Sequence, residues 1–327
     1  MNHYGLKPRI AVAAAAIMLA SFSFGAQAQS YPSKPIRLIA PFPPGGGLDV
    51  MARMVAQWLT QAWGQQVIVD NRPGAGGTIG AALGAKAPPD GHTLLIVSSA
   101  HTINAGLYRE LPYDTLKDFA PVLLVTAVPH LLVVHPSFPP RSVKELIAFA
   151  KARPGEIAYA SGGLGSSTHL AGELFKYMAK VDLLHVAYKG TGPSLVDVMS
   201  GRVPVTFGTI PAVAPQVKAG KLRALGQSGS KRALSAPEVP TIAEAGVPGY
   251  EAATWHGVLV PAGVPAAIVT KLHAEISKML SDAEVRKAIE RAGLEPLGST
   301  PQQFDAHLRA EVTKWANVIR RAGIPQQ

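Results

Sequence analysis

Short apolar runs alternate with longer amphipathic segments along most of the chain, and glycine-rich loops separate the two. Runs of four to eight apolar residues are typical of strands, whereas the longer segments repeat apolar residues with the helical period. We predict strands at 37–41, 67–70, 93–97, 121–128, 131–135, 157–160, 184–187, 205–209, 223–226 and 253–260. We predict helices at 48–62, 143–151, 167–178, 266–280, 283–292 and 301–322, others ending at 86 and 200, and a short one near 241–245. This alternation predicts an α/β fold with mostly parallel sheets.

The first 28 residues differ from the rest of the chain. Lys7 and Arg9 precede an apolar run at 10–20, and Ala26-Gln27-Ala28 follows a short polar stretch. This order is typical of a secretory signal peptide, and we expect cleavage after Ala28. A membrane anchor is the alternative, but a helix of eleven residues measures about 16 Å, against a hydrocarbon core of about 30 Å. The pattern therefore favours a mature chain released into the periplasm.

Composition and charge exclude several classes of protein. The 327 residues are 47% hydrophobic and include no cysteine, so the chain can bury a large core but has no thiolate for a metal, a cluster or a lipid anchor. The formal charge of +10 falls to +8 once Lys7 and Arg9 are removed with the signal peptide, and the remaining cations are scattered. Without a basic stripe interleaved with aromatic residues, nucleic-acid binding is not indicated.

Four glycine-rich loops follow predicted strands and precede predicted helices, near 43–47, 74–77, 161–165 and 188–193. At such places backbone N–H groups and the helix dipole attract anions, although glycine also serves turn geometry alone. The chain contains no G-x-x-x-x-G-K-[ST] string, the phosphate-binding pattern of nucleotide hydrolases. The dinucleotide pattern G-x-G-x-x-G fails as well, because Ile79 and Thr168 stand where its last glycine would be. They therefore predict a small-anion site without a nucleotide cofactor.

Polar side chains beside these loops narrow the chemistry. The hydroxyls of Ser166, Ser167 and Thr168 can cap the following helix or donate to a carboxylate, and both interpretations stay open. Asp49 is better placed to complement its own helix dipole than to contact a ligand. His101, after the strand that ends near Ser98, can line the crevice or be a satisfied structural histidine.

Catalysis and metal binding are weaker alternatives. Ser228 and Lys231 fit the S-x-x-K pattern of serine hydrolases, but no companion motif follows and the segment is a proline- and serine-rich connection. The ten histidines form no recognised metal motif, and we expect no metal or cofactor.

Several strings together resemble the Bug family, the extracytoplasmic solute receptors of tripartite tricarboxylate transporters. They are PFPPGGGLD at 41–49, NRPGAGGTIG at 71–80, YKGTGP at 188–193, VPTIAEAG at 239–246, WHG at 255–257 and PAGVP at 261–265. The resemblance covers the whole mature chain. It implies a two-lobed periplasmic binding protein of the type II kind, with a first lobe from 29–125 and 228–327 and a second lobe from 126–227.

The resemblance also implies the ligand and where it binds. The ligand would be a small organic carboxylate closed between the lobes and passed to membrane permease subunits by a protein that is expected to be monomeric. A role in presenting ligand to a membrane sensor stays open. The candidate contacts are Phe42, Pro43, Pro44, Gly45, Gly46, Asp49, Ala75, Gly76, Gly77, Thr78, Ser98 and His101 on one side, with Ser161, Gly165, Ser166, Ser167, Thr168, Tyr188, Lys189, Gly190 and Thr191 on the other. Relatives commonly carry Asp where this chain has Gly208, so amino acids are expected to bind less well than acids without the amine.

Overall fold

The computed structural model describes residues 31–188 and 190–327, and residues 34–327 form one compact unit. The signal peptide and cleavage site predicted at 1–28 lie outside the described residues, as does the candidate contact Lys189. No described helix is long and apolar enough to cross a membrane.

Eleven strands form two sheets within the described chain. They are β1 (Ile36–Ala40), β2 (Val67–Asn71), β3 (Thr93–Ser98), β4 (Phe119–Val128), β5 (His130–Val134), β6 (Ala158–Ser161), β7 (Leu184–Ala187), β8 (Val205–Thr209), β9 (Arg223–Gln227), β10 (Thr254–Pro261) and β11 (Glu295–Pro296). The first sheet has the order β11-β4-β10-β3-β1-β2, and the second has the order β7-β6-β8-β5-β9.

Ten α-helices cover these sheets in the described part of the chain. They are α1 (Gly47–Trp63), α2 (Thr78–Ala85), α3 (Ala100–Leu107), α4 (Val143–Lys151), α5 (Ser167–Ala179), α6 (Thr191–Met199), α7 (Ile210–Lys218), α8 (Ala266–Ser281), α9 (Ala283–Arg291) and α10 (Pro301–Arg321). A single 3₁₀ turn at Ala75–Gly77 precedes α2.

The predicted α/β class is confirmed, but the sheets are mixed rather than mostly parallel. In the first sheet β1 pairs in parallel with β2 and β3, whereas β10 runs antiparallel to both β3 and β4. In the second sheet β6 is parallel to β7 and β8, and β5 is antiparallel to β8 and β9. β5 and β10 each enter their sheet from the other sheet and run antiparallel to both of their neighbours, which makes the sheets mixed.

The chain changes sheets at two places. It leaves the first sheet between β4 and β5, at Pro129, and returns through residues 228–253 between β9 and β10. Because β4 extends to Val128, the strand belongs to the first sheet beyond residue 125, where the first lobe was expected to end. The lobe boundaries themselves stay a prediction.

Most predicted elements agree with the structure to within two residues, and three differences remain besides the unpredicted two-residue strand β11. The sequence predicted no helix at α3 or α7, and it predicted a helix near 241–245 where the chain only turns. Pro211 and Pro215 make the sequence of α7 look unfavourable for a helix. Pro211 nevertheless fits, because it occupies the first turn, where no backbone N–H is required. At 241–245, Thr241 and Glu244 bond reciprocally as at a helix start, but Gly246 with φ +129° ends the turn.

The largest core cluster joins elements that are distant in sequence. It combines the second sheet with Ile103 and Leu107 of α3 and with Trp315 and Ile319 of α10. Although α3 follows a strand of the first sheet, it packs together with α10 against the core of the second sheet. This packing brings the start of α3 to the region where the two sheets meet.

Candidate functional site

A cavity of about 420 Å³ lies where loops from both sheets converge. The first sheet contributes the loops after β1 and β2, the end of β3 with the start of α3, and the start of β10, while the second contributes the loop between β6 and α5. The lining residues are Phe42, Gly76, Ser98, Ser99, Ala100, Ile103, Asn104, Leu107, Tyr108, Leu164, Gly165, Ser166, Ser167, Thr254 and Gln327. None of these described residues carries a charged side chain.

Two helices begin at this cavity from opposite sides. Helix α3 follows the first sheet, and its first residue, Ala100, lines the cavity. Helix α5 follows the second sheet and starts at Ser167, which lines the cavity as well. The N-terminus of each helix carries about half a positive charge and N–H groups without helical acceptors. Together they favour an anion in a cavity whose described lining has no charged side chain.

The start of α5 separates three neighbouring hydroxyls into different roles. Ser166 caps the helix by accepting from His169 N at 3.2 Å and donates to Gly163 O at 2.7 Å. Thr168 Oγ1 accepts from Gly162 N at 2.9 Å and lies 3.0 Å from Ser166 Oγ. Both hydroxyls are therefore occupied in shaping the loop, which is the capping interpretation. Ser167 lines the cavity, and its Oγ takes no part in these loop contacts.

The backbone N–H groups at this helix start remain available. Within the described residues, no hydrogen bond is found from the amides of Ser167 and Thr168, which lie in the first helical turn. Gly165 N is occupied, since it donates to His169 Nδ1 at 3.1 Å. Burial lowers the pKa of His169 to about 3, so its ring is neutral and Nδ1 can accept at pH 7.

Buried polar contacts beneath the loop hold it in place. Ser161 Oγ lies 2.7 Å from His185 Nε2 and accepts from Gly163 N at 3.1 Å. Ser161 is fully buried and supports the loop without lining the cavity. Tyr188 donates through its hydroxyl to Asp197 Oδ2 at 2.8 Å, and Gly190 N donates to Gly162 O at 3.0 Å. Neither residue lines the cavity.

Asp49 organises the first glycine loop from its buried position, with 3% of its surface exposed. Its carboxylate accepts from Gly45 N at 3.0 Å, from Arg53 at 3.0 and 3.1 Å, and from Asn71 Nδ2 at 2.9 Å. Asn71 Nδ2 also donates to Phe42 O at 3.0 Å. Burial raises the pKa of Asp49, but these hydrogen bonds outweigh it and hold the pKa below its ordinary value. Asp49 therefore shapes the loop and lies outside the cavity lining.

The second glycine loop uses left-handed backbone conformations to approach the cavity. Gly76 has φ +63° and Gly77 has φ +95°. The carbonyl of Gly76 accepts from Asn104 Nδ2 at 3.0 Å, which ties the loop to α3. A side chain at Gly76 would meet Asn104 Oδ1 at 3.3 Å. Only a residue without a Cβ fits this close approach without strain.

A narrow recess of about 10 Å³ extends beside the cavity to Gly77 and His101. His101 is 4% exposed, stacks on Tyr113 with ring centroids 5.6 Å apart, and its Nε2 lies 3.3 Å from Thr115 O. Burial lowers its pKa to about 4, so the ring is neutral at pH 7. Its Nδ1 is buried without a hydrogen-bond partner and the residue lines the recess, so both roles considered for His101 stay open.

The structure brings some predicted contacts together and leaves others apart. The predicted residues that line the cavity are Phe42, Gly76, Ser98, Gly165, Ser166 and Ser167, with Gly77 and His101 in the recess. Those outside the lining are Pro43, Pro44, Gly45, Gly46, Asp49, Ala75, Thr78, Ser161, Thr168, Tyr188 and Gly190. Lys189 and the side chain of Thr191 are not described. The lining residues that the sequence missed are Ser99, Ala100, Ile103, Asn104, Leu107, Tyr108, Leu164, Thr254 and Gln327.

Gly208 lies away from the cavity lining. A Cβ at this position would lie 2.3 Å from Val213 Cγ1 of α7, so close packing requires glycine here whatever the ligand is. The absence of an acid at Gly208 therefore does not by itself disfavour a ligand amine. The lining offers a separate reason, since none of its described side chains is acidic.

The serine hydrolase alternative is not favoured by the geometry. Ser228 is fully buried, and its hydroxyl accepts from His130 N at 2.8 Å. Lys231 is exposed and lines a different cavity. A fully buried hydroxyl that already accepts from a backbone N–H is not exposed to a substrate.

Comparison with known proteins identifies the family. The model of the tripartite tricarboxylate transporter family receptor matches residues 51–324. Protein BugT of Bordetella pertussis is 40% identical over 96% of this chain and 97% of its own length. The structure of R. palustris Rpa4515 with adipate is 40% identical, covers 91% of this chain and all of that chain, and has a TM-score of 0.76. MatC from Rhodopseudomonas palustris with bound malate is 32% identical, covers 88% of this chain and all of that chain, and has a TM-score of 0.71.

These matches extend over both sheets and both sides of the cavity. The family model and a relative of 40% identity over nearly the whole chain show the family and not the fold alone. The chain therefore belongs to the Bug family of tripartite tricarboxylate transporter receptors.

Proposed function

We propose that the protein captures a small organic carboxylate in the cavity between its sheets and delivers it to a tripartite tricarboxylate-type membrane transporter. The observation that carries this proposal is the convergence of two helix starts, at Ala100 and Ser167, on a cavity whose described lining has no charged side chain. Helix N-termini from opposite sheets suit a ligand that has acidic groups at both ends.

The neutral lining suits a receptor that must release its ligand. N–H groups and hydroxyls stabilise a carboxylate by about 1.5 to 3 kcal/mol for each hydrogen bond to the charge. A buried lysine or arginine would add a strong ion pair, and the described lining contains none. At about 420 Å³ the cavity also has room for ordered water between the ligand and the loops. The adipate and malate bound to the two related structures are acids of this kind.

The remaining parts of the proposal concern the mature protein. It begins at Gln29 after cleavage behind Ala28, works in the periplasm as a monomer without a lipid anchor, and catalyses no reaction. Intact-mass measurement of periplasmic protein tests the maturation. Recovery of only an uncleaved, membrane-bound chain would contradict it.

A thermal-shift screen of carboxylates on ligand-stripped protein tests the binding role. An acid present at about one hundred times its Kd should stabilise the fold by about 2.7 kcal/mol, which raises Tm by a few degrees for a chain of this size. Diamides of the same acids, which lack the charge, are the controls and should give no shift. A panel of mono-, di- and aromatic carboxylates without any hit would refute the proposal.

Transport itself is tested by uptake of a labelled acid found in that screen. Cells without the gene should lose uptake, and the wild-type gene should restore it. Uptake that continues unchanged without the gene would leave the protein a carboxylate binder with another partner.

Amino acids should bind at least tenfold more weakly than the matching acids without the amine. A buried ammonium would meet no acidic side chain among the described lining residues, and an unpaired charged group costs about 1 to 3 kcal/mol or more. Calorimetric titration of succinate against aspartate, and of glutarate against glutamate, measures the ratio. Equal Kd values within both pairs would contradict this expectation.

A further inference from the structure

The hydroxyl of Ser167 lies beside a buried histidine that does not itself line the cavity. Ser167 lines the cavity at the start of α5, and its Oγ lies 3.3 Å from Nε2 of His130. His130 is the first residue of β5 and is fully buried. The contacts of the His130 ring determine how it affects the Ser167 hydroxyl.

The contacts of His130 fix which ring nitrogen carries the proton. Nδ1 lies 2.9 Å from the carbonyl oxygen of Ala252, which can only accept, so Nδ1 must be the N–H donor. The Ser228 hydroxyl, 3.5 Å from Nδ1, also donates to Ala252 O, at 3.3 Å. Burial lowers the pKa of His130 to about 4, which keeps the ring neutral at pH 7. Nε2 therefore carries a lone pair and accepts a hydrogen bond.

His130 cannot rotate to reverse this arrangement. Its backbone N–H donates to Ser228 Oγ at 2.8 Å, and its carbonyl accepts from Ser228 N at 2.8 Å. Ala252 N donates in turn to Ser228 O at 3.0 Å. His130 is thus held by both ends of the segment that returns the chain to the first sheet. A ring turned by 180° would place the Cδ2 carbon against the Ala252 carbonyl, and the other neutral tautomer would place an unprotonated nitrogen there, so either change loses this hydrogen bond.

The direction of the Ser167 proton follows from the lone pair on Nε2. The hydroxyl donates to Nε2, and its oxygen then presents only lone pairs to the cavity. The backbone N–H of the same residue remains free for a carboxylate. Ser167 therefore offers a donor and an acceptor side by side, and a carboxylate with a hydroxyl on the neighbouring carbon matches both.

We propose that Ser167, oriented by His130, is the specificity-determining residue that makes the cavity prefer 2-hydroxycarboxylates to the corresponding acids with a methylene at that carbon. The inference rests on the proposed function and deepens it by naming the class of acid. Ser167 contacts the ligand hydroxyl, whereas His130 acts through Ser167 as a positioning residue.

The test is calorimetric titration of the wild-type protein with two matched pairs, malate with succinate and 2-hydroxyglutarate with glutarate, each hydroxy acid as both enantiomers. At least one enantiomer in a pair should bind about tenfold more tightly than its methylene analogue, because one neutral hydrogen bond is worth about that factor. The wild-type ratio is the baseline for the variants.

Two variants separate the roles of the two side chains. Ser167→Ala keeps the backbone N–H and removes the acceptor, so the hydroxy acid should lose about tenfold in affinity while the methylene acid changes little. His130→Asn keeps a side-chain N–H in the position of Nδ1 for Ala252 O but has nothing to accept from Ser167. The freed hydroxyl can then donate to the ligand, and the ratio should fall toward one through tighter binding of the methylene acid.

Ser137→Ala is the matched control, since the Ser137 hydroxyl also lies beside a histidine, 2.7 Å from His135 Nδ1, but Ser137 is outside the cavity lining. It should leave the ratio unchanged, whatever it does to stability. Equal wild-type Kd values within both pairs would overturn the inference. So would a Kd ratio of methylene acid to hydroxy acid that stays the same in both Ser167→Ala and His130→Asn. Either result would leave the carboxylate-binding role intact. If no acid of the panel binds at all, the proposed function fails first, and the inference fails with it.

Discussion

At the scale of single residues, buried polar side chains shape the loops that reach the cavity. The Asp49 carboxylate accepts hydrogen bonds from Gly45, Arg53 and Asn71 and so connects the first glycine loop, helix α1 and the end of β2. Because these partners hold the pKa of Asp49 below its ordinary value, its stabilising effect requires the ionised form.

Asp49→Asn should lower the free energy of unfolding by about 1 to 3 kcal/mol at pH 7, because it removes charged hydrogen bonds in a buried place. A depressed carboxyl pKa contributes stability above about pH 4, and this contribution is lost as the pH falls through the folded-state pKa. Urea unfolding at pH 7 and pH 3 should therefore show a smaller difference between wild type and variant at pH 3. Asp305→Asn, at an exposed pair with Arg309, is the control and should change little. A difference that is the same at both pH values would contradict the role of the charge.

Gly76 shows how a missing side chain can serve a site. It lines the cavity with a left-handed backbone and lies against Asn104. Gly76→Val should weaken carboxylate binding by about tenfold or more, since the left-handed conformation costs roughly 1 to 2 kcal/mol and the side chain enters the cavity. Gly46→Ala is the control: Gly46 has φ −82°, nothing lies within 4 Å of its added Cβ, and it is outside the lining. Titration with an acid from the screen compares the two, and an unchanged Kd for Gly76→Val would place the ligand elsewhere.

At the scale of elements, α3 is the helix that contributes most to the described cavity lining. It supplies Ala100, Ile103, Asn104 and Leu107, and it is held by α10. The two helices approach closely at Gly106, where an added Cβ would lie 3.1 Å from Ala316 Cα. The position of α3, and with it the cavity wall, depends on this contact.

Gly106→Val should destabilise the fold by about 1 to 3 kcal/mol, as is usual when a packed interface is overfilled. It should also weaken ligand binding, because α3 must move away from α10. Chemical denaturation and titration measure the two effects, and Gly106→Ala should give the same changes at smaller size. Full affinity in a destabilised Gly106→Val protein would show that α3 tolerates the shift without changing the cavity.

At the scale of the whole molecule, the two sheets are joined where the chain crosses between them. Ser228 sits at this crossing, and its hydroxyl accepts from His130 N and donates to Ala252 O. Both crossings, at Pro129 and at 228–253, are thereby bonded to each other next to the cavity.

Ser228→Ala should lower the free energy of unfolding by about 1 to 3 kcal/mol, because it leaves the His130 N–H buried without a partner. Ser230→Ala, two residues along at an exposed position, is the control and should have almost no effect. Thermal or urea unfolding measures both variants. Ester turnover by the wild type that disappears in Ser228→Ala would instead support the hydrolase alternative.

Much of the architecture follows from local patterns. Strand runs such as those at 184–187 and 205–209 and the helix at 143–151 were predicted with their observed bounds, because apolar periodicity and capping residues act over a few neighbours. Glycine loops after strands likewise predicted an anion site, and strings along the whole mature chain indicated the family. Signal-peptide features also belong to the sequence, and their prediction stays untested within the described residues.

Only the tertiary structure decided which residues face the ligand. Residues 100–107 contain Thr, Asn and Gly, which favour a helix weakly, and α3 forms because α10 and the second core bury it. Local sequence could not show that α3 begins at the cavity or that Gly208 packs on Val213. Nor could it show that the Thr168 hydroxyl bonds within the loop while Ser167 lines the cavity. The partner of Ser167 is His130, 37 positions earlier in the chain, and such pairings arise only when distant segments pack together.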